Sequence, residues 1–496
     1  MVSLSSESKT KLTQLQVAIL GIATILVCIL YLTSSYLKYK IGFPLDDSWI
    51  HQTYARNLAL HGEWAFRPGL PSAGSTSPLW STLLAIGFIL NLSPYIWTYL
   101  LGGIILFLLA SLCEWAVRNL IESYTFKYPL VGIFIIMEWH LAWAAMSGME
   151  TLLHGLIVTT VLILLMITPA RYLTLGLLTG ISVWVRPDGL TLIGPFLFTL
   201  FLQKMDTRSY LVSLVRYFIG FGTIFGLYLL FNLAIGGTPM PNTFYAKQAE
   251  YAEWQLQPIY ERLGEMLKEL IIGPSSLLVP GVIAWAVVSI QRRKWGSLAG
   301  LIWCFGYLCL YASRLPVYQH GRYLMPAMPV FFLFGILAVI EFSTSKLLGR
   351  YQWFVKTLWQ ASLGMVSVLF VFLGANFYAI GVAVIESEMV ATARWVSENI
   401  PSTAVLAVHD IGALGYFDDH ELIDLAGLIS PEVIPFIRDE PELSVFMNER
   451  KADYLITFPE FYPGFAEELQ PVYVTGSEFT LMLGRQNMTV YQWKSP

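Results

Sequence analysis

Residues Val17–Leu37 read VAILGIATILVCILYLTSSYL and carry no charged side chain. A helix of this length crosses a hydrocarbon core of about 30 Å. The run is too long for the apolar region of a secretory signal, so we expect it to remain in the protein as a membrane anchor. Only the link Lys38–Leu45 separates it from two adjacent acids, Asp46 and Asp47. The sequence therefore predicts a pair of carboxylates at one face of the membrane.

The composition is that of a polytopic helical membrane protein. Of the 496 residues, 56% are hydrophobic and 13% are charged, whereas soluble domains carry about 25% charged residues. A net charge of −4 argues against a nucleic acid as partner, because nucleic-acid binding needs a basic face. The chain has no phosphate-binding loop, no Gly-x-Gly-x-x-Gly motif, no His-Glu-x-x-His motif and no paired cysteines. These absences argue against a nucleotide site or a structural zinc site.

Apolar runs recur along the chain after the first span, and basic residues in the short connections between them predict their orientation. Arg171, Lys204 with Arg208, and Arg292-Arg293-Lys294 all fall on one side, which the positive-inside rule makes cytoplasmic. The acid pair reaches the outer side only if the short run Pro78–Leu90 enters the membrane without crossing it. The sequence then predicts about 11 transmembrane helices.

The apolar run Tyr172–Leu202 contains the polar sequence Arg186-Pro187-Asp188-Gly189. Proline interrupts a helix, so two half-helices are expected to meet at an ion pair that faces a cavity. The alternative is an ordinary polar loop between two spans.

Hydropathy falls sharply near residue 386, and the chain is predicted to divide there. Residues 1–385 are expected to form the transmembrane domain, with an outer loop at 38–76. In that loop, the helical spacing of apolar side chains over Ser48–Leu60 predicts a helix along the membrane surface. Residues 386–496 alternate short helices and strands, which predicts a small extracytoplasmic α/β domain.

Polar residues predicted to lie on the outer face form the candidate site. Acids concentrate early in the chain and cations late, so a bundle around one cavity would set them opposite each other. That arrangement suits a hydroxyl nucleophile and an anionic phosphate leaving group. The candidate catalytic residues are Asp46 and Asp47, and the candidate substrate-binding residues are His51, Glu150, Arg186, Asp188, Tyr245, Lys247, His320 and Arg322.

Each of these residues also has an ordinary structural interpretation. Asp47 and Glu150 are each placed where an acid caps the start of a helix. Lys247 alone would suit a side chain that reaches toward lipid headgroups. The candidate site therefore depends on the collection of polar groups on one face.

An ordered set of motifs resembles a known family. It comprises Asp46-Asp47-Ser48-Trp49-Ile50, Ser147-Gly148-Met149-Glu150-Thr151, Arg186-Pro187-Asp188-Gly189, Asn242-Thr243-Phe244-Tyr245-Ala246-Lys247, Gly321-Arg322-Tyr323-Leu324-Met325-Pro326 and His409-Asp410-Ile411-Gly412. Together they resemble bacterial GT-C membrane glycosyltransferases, most closely those related to the mycobacterial terminal arabinofuranosyltransferases. Asp188 departs from the glutamate common in the Arg-Pro motif of that family, and the soluble domain is short.

The resemblance implies an inverting glycosyltransferase of the plasma membrane. The donor would be a sugar on a polyprenyl phosphate, and the acceptor a cell-envelope glycan or lipid at the outer face. Asp46 would be the base, with Asp47 orienting it or sharing its role. His320, Arg322, Arg186 and Lys247 would be candidates to bind the donor phosphate. No cofactor is expected to be required, although Asp46, Asp47 and His51 leave a divalent metal open.

Two other functions remain open. A transporter or flippase of lipid-linked sugars would share the bundle and the broken helix. A binding or scaffolding protein would use the terminal α/β domain for recognition and perform no chemistry.

Overall fold

The computed structural model describes residues 11–122, 124–344 and 349–493. Helices dominate this part of the chain, and a small sheet lies near the C-terminus. The helices that precede the sheet are α1 (Gln14–Lys38), α2 (Asp47–His61), α3 (Pro78–Ile89), α4 (Pro94–Leu120), α5 (Leu130–Met137), α6 (Trp139–Met146), α7 (Thr151–Ile167), α8 (Tyr172–Val185), α9 (Ile193–Leu202), α10 (Thr207–Gly236), α11 (Asn242–Glu250), α12 (Ile259–Ile271), α13 (Val279–Gln291), α14 (Trp295–Ala312), α15 (Met328–Thr344) and α16 (Gln352–Ser387).

Within the described residues, six helical stretches are long and apolar enough to cross a membrane. They are Gln14–Lys38, Pro94–Leu120, Thr207–Gly236, Gly273–Gln291, Trp295–Ala312 and Gln352–Asn399. Five shorter apolar helices accompany them: Pro78–Ile89, Thr151–Ile167, Tyr172–Val185, Pro187–Leu202 and Met328–Phe342. These helices make the protein a multi-pass membrane protein, as predicted, while the number of complete crossings stays a prediction.

Close helix packing in the bundle depends on small residues. Helices α8 and α10 pack along much of their length, and a Cβ on Gly176 would lie 2.0 Å from the Tyr217 carbonyl oxygen. Glycine therefore lets the two backbones approach, as is common between helices in membranes.

Two apolar runs are interrupted, one as predicted and one not. The predicted break is confirmed: α8 ends at Val185, Pro187–Leu192 forms a 3-10 helix, and α9 follows. The run Pro129–Met146 also breaks, because buried Glu138 accepts hydrogen bonds from the amides of His140 at 3.0 Å and Leu141 at 3.2 Å, and so starts a new helix.

The segment between α1 and α3 contains the predicted helix as α2, while its position along the membrane surface stays a prediction. It is followed by a short antiparallel hairpin, β1 (Ala65–Arg67) and β2 (Leu70–Pro71). Gly62 ends α2 in the left-handed conformation, with φ of 70°. Helix α2 packs on α3, which places its first residues near the bundle.

The C-terminal domain, residues 389–493, combines short helices with a five-stranded sheet. Its elements are α17 (Met389–Asn399), β3 (Val405–Val408), α18 (Gly412–Phe417), β4 (Glu421–Asp424), α19 (Glu440–Glu449), β5 (Tyr454–Thr457), α20 (Pro463–Glu468), β6 (Gln470–Val474), α21 (Glu478–Met482) and β7 (Thr489–Gln492). The sheet is mixed, in the order β4-β3-β5-β7-β6. Strands β3, β4 and β5 are parallel, and β7 runs antiparallel to β5 and β6. The α/β class is as predicted, and the division at 385/386 remains a prediction.

Candidate active site

A cavity of about 330 Å³, here the central cavity, lies where α2, α7, α11 and α14 meet the break between α8 and α9. Its charged lining residues are Asp47, Glu150, Arg186, Asp188, Lys247, Arg314 and Arg322, together with His51. Six of the candidate substrate-binding residues and one of the candidate catalytic acids therefore meet at one place.

Asp47 is the first residue of α2 and faces two cations. Arg322 donates from Nη2 to Asp47 Oδ2 at 2.6 Å, and Lys247 Nζ lies 3.8 Å from the same oxygen. Burial raises the pKa of the Asp47 carboxyl, but the charges of Arg322 and Lys247 outweigh it and hold the pKa below its usual range. Asp47 is therefore ionised at neutral pH.

Tyr323 shares the same two cations. Its hydroxyl oxygen accepts from Lys247 Nζ at 2.8 Å and from Arg322 Nη2 at 3.0 Å. Asp47 and Tyr323 thus hold a lysine and an arginine side by side at the cavity wall.

A second cluster surrounds Arg186 at the broken helix. Its guanidinium donates to Glu150 at 2.7 Å, to Asp188 at 3.2 Å and to the Tyr311 hydroxyl at 3.0 Å. Tyr311 in turn donates to Asp188 at 2.6 Å, and Tyr307 also donates to this carboxylate.

The three cavity carboxylates differ in accessibility. The Asp47 side chain is 32% exposed, against 1% for Glu150 and 9% for Asp188. His51 adds to the confinement of Glu150, with Nε2 3.3 Å from Glu150 Oε2. Of the three acids, Asp47 is the one that a substrate can reach.

Arg314 was missed by the sequence reasoning. It follows the end of α14, lines the central cavity, and its guanidinium lies 5.7 Å from the centre of the Phe244 ring. Among the described residues no carboxylate forms an ion pair with it. Its sequence signal, an arginine at the end of an apolar run, is that of an ordinary interface anchor.

Asp46 points away from the central cavity. Its Oδ2 accepts from the Gly412 amide at 2.7 Å and its Oδ1 from the Ala413 amide at 2.8 Å, at the start of α18. A Cβ on Gly412 would lie 2.1 Å from the Asp46 backbone oxygen, so this contact requires glycine. Burial raises the pKa of the Asp46 carboxyl. Asp46 is the predicted base, but in this position its carboxylate has no access to a substrate in the central cavity.

Two other candidates lie elsewhere. The His320 ring packs against Trp139, Trp143 and Phe377, with centroids 5.2 to 5.7 Å apart, and is not in the cavity wall. Burial lowers the pKa of His320 to about 4, so it is neutral at pH 7 and offers no charge to a phosphate. Tyr245 contacts Phe244 edge-on, and it too is absent from the cavity lining.

The C-terminal domain contacts both helices that bring charges to the cavity. On α2, Arg56 donates to the Tyr416 carbonyl oxygen at 2.7 Å. At the end of α11, Glu250 accepts from Arg438 at 3.0 Å. The domain therefore fixes the positions of Asp47 and Lys247 through the helices that carry them.

The charges of the cavity suit an anion better than a resident cation. No group of three or more His, Cys, Asp or Glu side chains among residues 11–122, 124–344 and 349–493 is arranged to hold a metal ion. The acids are instead paired with arginine and lysine. Metal dependence itself stays an open prediction.

Sequence comparisons identify little. A family model described as a domain of unknown function (DUF8728) matches residues 379–491, which cover the end of α16 and nearly all of the C-terminal domain. A comparison with curated proteins finds no significant match.

Structural comparison is more informative. ArnT from Cupriavidus metallidurans bound to undecaprenyl phosphate is similar with a TM-score of 0.57 and 13% identity, over 95% of this chain and 98% of ArnT. The Archaeoglobus fulgidus oligosaccharyltransferase is similar with a TM-score of 0.64 and 11% identity, over 92% of this chain and 73% of the oligosaccharyltransferase. Arabinofuranosyltransferase AftD from Mycobacteria is similar with a TM-score of 0.55 and 13% identity, over 98% of this chain and 40% of AftD. All three are GT-C glycosyltransferases. The likeness extends over nearly the whole chain and confirms the resemblance of the motifs: the protein has the GT-C fold of membrane glycosyltransferases.

Proposed function

We propose that the protein is an inverting glycosyltransferase that moves a sugar from a polyprenyl phosphate to a hydroxyl of a cell-envelope glycan or lipid, with Asp47 as the base. The observation that carries the proposal is one accessible carboxylate set beside Arg322 and Lys247 in a cavity at the end of membrane helices. The reaction would take place at the outer face of the plasma membrane.

The charge of the central cavity supports a phosphate-linked donor. Four cations and three carboxylates line it, so positive charge remains before any on His51 is counted. Arg186 is fully occupied by Glu150 and Asp188, whereas Arg314 has no described carboxylate partner. Arg314, Lys247 and Arg322 are therefore the groups we assign to the donor phosphate.

The apolar part of the lining supports a lipid carrier. Ile50, Met149, Leu190, Leu310 and Leu315 face the cavity, and α14, which forms part of its wall, is long and apolar enough to cross a membrane. An isoprenoid chain would therefore reach the cavity from the bilayer without crossing water. The undecaprenyl phosphate bound to ArnT is a precedent for this class of ligand on the same fold.

Donor binding would also prepare the base. The carboxylate of Asp47 is held by Arg322 and Lys247, which makes it a weak proton acceptor. A donor phosphate offers these cations a second anion, so part of their charge is withdrawn from Asp47 and its pKa rises. The base would thus become effective only when the donor is present.

The reaction proceeds in one displacement. Asp47 takes the proton of the acceptor hydroxyl as its oxygen forms a bond to the anomeric carbon. The bond from that carbon to the phosphate oxygen breaks on the opposite side, and its electron pair leaves with the polyprenyl phosphate. Arg322, Lys247 and Arg314 stabilise the charge that gathers there. The configuration at the anomeric carbon is inverted.

The test uses purified full-length protein, a radiolabelled polyprenyl-phosphate sugar and envelope glycan as acceptor. We expect labelled glycan and free polyprenyl phosphate in equal amounts. Asp47→Asn should lower the rate by about two to four orders of magnitude, the usual contribution of a general base. Consumption of donor without glycosylated product, or an Asp47→Asn variant near the wild-type rate, would contradict the proposal.

A transporter of lipid-linked sugars is the second candidate, and the broken helix between α8 and α9 is the observation that favours it. It predicts that vesicles carrying the protein move the intact donor across the bilayer. It also predicts no new glycosidic bond, so the same assay separates the two functions.

A further inference from the structure

A second cavity of about 330 Å³ lies at the opposite end of the bundle; we name it the basal cavity, lined by Thr199, Trp285, Arg293, Lys294, Gly296 and Ser297 among others. Helix α14 begins in its wall at Trp295 and ends near Tyr311, in the wall of the central cavity. At 1.5 Å per residue these points are about 24 Å apart. The basal cavity therefore lies at the other face of the membrane, which the basic connections predict to be cytoplasmic.

The basal cavity is positively charged. Arg293 and Lys294 both line it, and its lining includes no carboxylate. One acid beside it, Glu341, pairs with Arg292 and lies 3.8 Å from Lys294 Nζ. One carboxylate near three consecutive basic residues leaves a net positive charge at this end of the bundle.

Hydrogen-bond donors without acceptors surround the same space. Helix α14 has no side-chain cap, and the amides of Gly296 and Ser297 in its first turn find no acceptor among the described residues. The Nε1 of Trp285 and the hydroxyl of Thr199 are also without a partner, on side chains that are 1% and 3% exposed. Unpaired buried polar groups are costly, so a ligand that accepts hydrogen bonds here is favoured.

The remaining wall is apolar and lies at a membrane interface. Leu120, Leu165 and Met166 come from the ends of α4 and α7, and Trp285 and Trp295 lie beside them. Tryptophan concentrates where the hydrocarbon meets the headgroups. A ligand with a phosphate group and a hydrocarbon tail matches both parts of this wall.

We propose that the basal cavity binds the phosphate of an anionic lipid headgroup from the leaflet opposite the central cavity. The phosphate contacts Arg293, Lys294 and the first-turn amides of α14, while the acyl chains follow the apolar side. Basic pockets between helices at a cytoplasmic face are a known mode of headgroup binding. The bound lipid joins the ends of α4, α7, α9 and α14, and the site is independent of sugar transfer.

The test is native mass spectrometry of the full-length protein released from detergent. The probes are phosphatidylglycerol, phosphatidylcholine and inorganic phosphate. We expect the wild type to retain one phosphatidylglycerol at least tenfold more strongly than phosphatidylcholine. Arg293→Gln with Lys294→Gln should reduce that retention about tenfold, and Trp285→Phe, which keeps an aromatic ring but removes the Nε1–H donor, should reduce it several-fold.

The matched control is Arg208→Gln, which removes a basic residue from the same face at the start of α10, outside the basal cavity. It should retain the lipid as the wild type does. Equal retention of phosphatidylglycerol by the wild type and the double variant would overturn the proposal, as would equal retention of both lipids. Displacement of the lipid by millimolar inorganic phosphate would overturn the assignment to a lipid source.

Discussion

Asp46 and Asp47 are neighbours in the chain, yet their carboxylates serve two different regions of the molecule. Asp47 faces the central cavity and its cations, whereas Asp46 binds backbone amides of the C-terminal domain. The two residues lie at the start of α2, where successive side chains turn by about 100° around the helix axis. Asp46 and Asp47 are therefore adjacent in the sequence but do not belong to one site.

The difference assigns a task to each region. The bundle supplies the reacting groups, and the C-terminal domain holds the helices that present them. Asp46 is a positioning residue, because it acts on the cavity only through the start of α2. Variants of the two regions should accordingly differ in which kinetic parameter they change.

After loss of the Asp47 base itself, the largest effect is expected at Arg322 in the central cavity. Arg322→Gln removes the charge that holds Asp47 and, by our proposal, the departing phosphate. Loss of one such donor typically costs 10²- to 10³-fold in kcat, here measured by steady-state sugar transfer. Arg322→Lys keeps the charge and should recover part of the rate; if both variants keep wild-type kcat, Arg322 has no part in the reaction.

A smaller effect is expected at Arg314, in the same region. Arg314→Gln should raise KM for the donor about tenfold with little change in kcat, because a charge-assisted hydrogen bond contributes roughly 1.5–3 kcal/mol to binding. Its KM should also depend less on salt than that of the wild type. Lys268→Gln, on α12 outside the cavity, is the control, and an equal KM shift there would point to a general surface effect.

The C-terminal region can be tested at Gly412. Gly412→Ala places a methyl group against Asp46 and should cost about 1–3 kcal/mol, seen as a lower thermal unfolding temperature. Because α2 shifts, kcat should also fall, by roughly tenfold, while KM for the donor stays the same. Gly306→Ala on α14, where a Cβ meets nothing within 4 Å, is the control. An unchanged kcat would separate this contact from catalysis.

The smallest effect is expected from the ion pair between Glu250, at the end of α11, and Arg438 of the C-terminal domain. Burial raises the pKa of Glu250, but His409 and then Arg438 outweigh it and lower the pKa to about 2. A lowered pKa means that the pair stabilises the fold above the ordinary glutamate pKa of about 4.3 and that this stability is lost as pH falls toward 2. Glu250→Gln should therefore lower the free energy of unfolding at pH 7 by about 1 kcal/mol or less, seen as a slightly lower unfolding temperature. The difference from the wild type should shrink below pH 5, and a difference independent of pH would exclude the charge as its cause.

Local patterns predicted much of the fold. The first span, helix α2, the break at Pro187 and the class of the C-terminal domain each follow from apolar spacing or from a single helix-breaking residue. The break at Glu138 was not predicted. In the sequence Glu138 is only an acid within an apolar run, and its two contacts with backbone amides become visible only in the structure.

The site was predicted only in part, for a related reason. The meeting of Glu150, Arg186, Asp188 and Lys247 followed from the expectation that outer-face motifs share one cavity. The contact of Asp46 with Gly412 joins positions 366 residues apart, and no periodicity carries such information. The position of His320 could not be predicted for the same reason, since its aromatic neighbours come from the distant helices α6 and α16.

The most direct test compares Asp47→Asn with Asp46→Asn in single-turnover transfer, with the wild type and saturating donor. We expect Asp47→Asn to lose two to four orders of magnitude in rate and still to bind the donor. We expect Asp46→Asn, which keeps one acceptor for the amides of α18, to lose about tenfold or less. Equal losses in both variants, or a larger loss in Asp46→Asn, would contradict the assignment of Asp47 as the base.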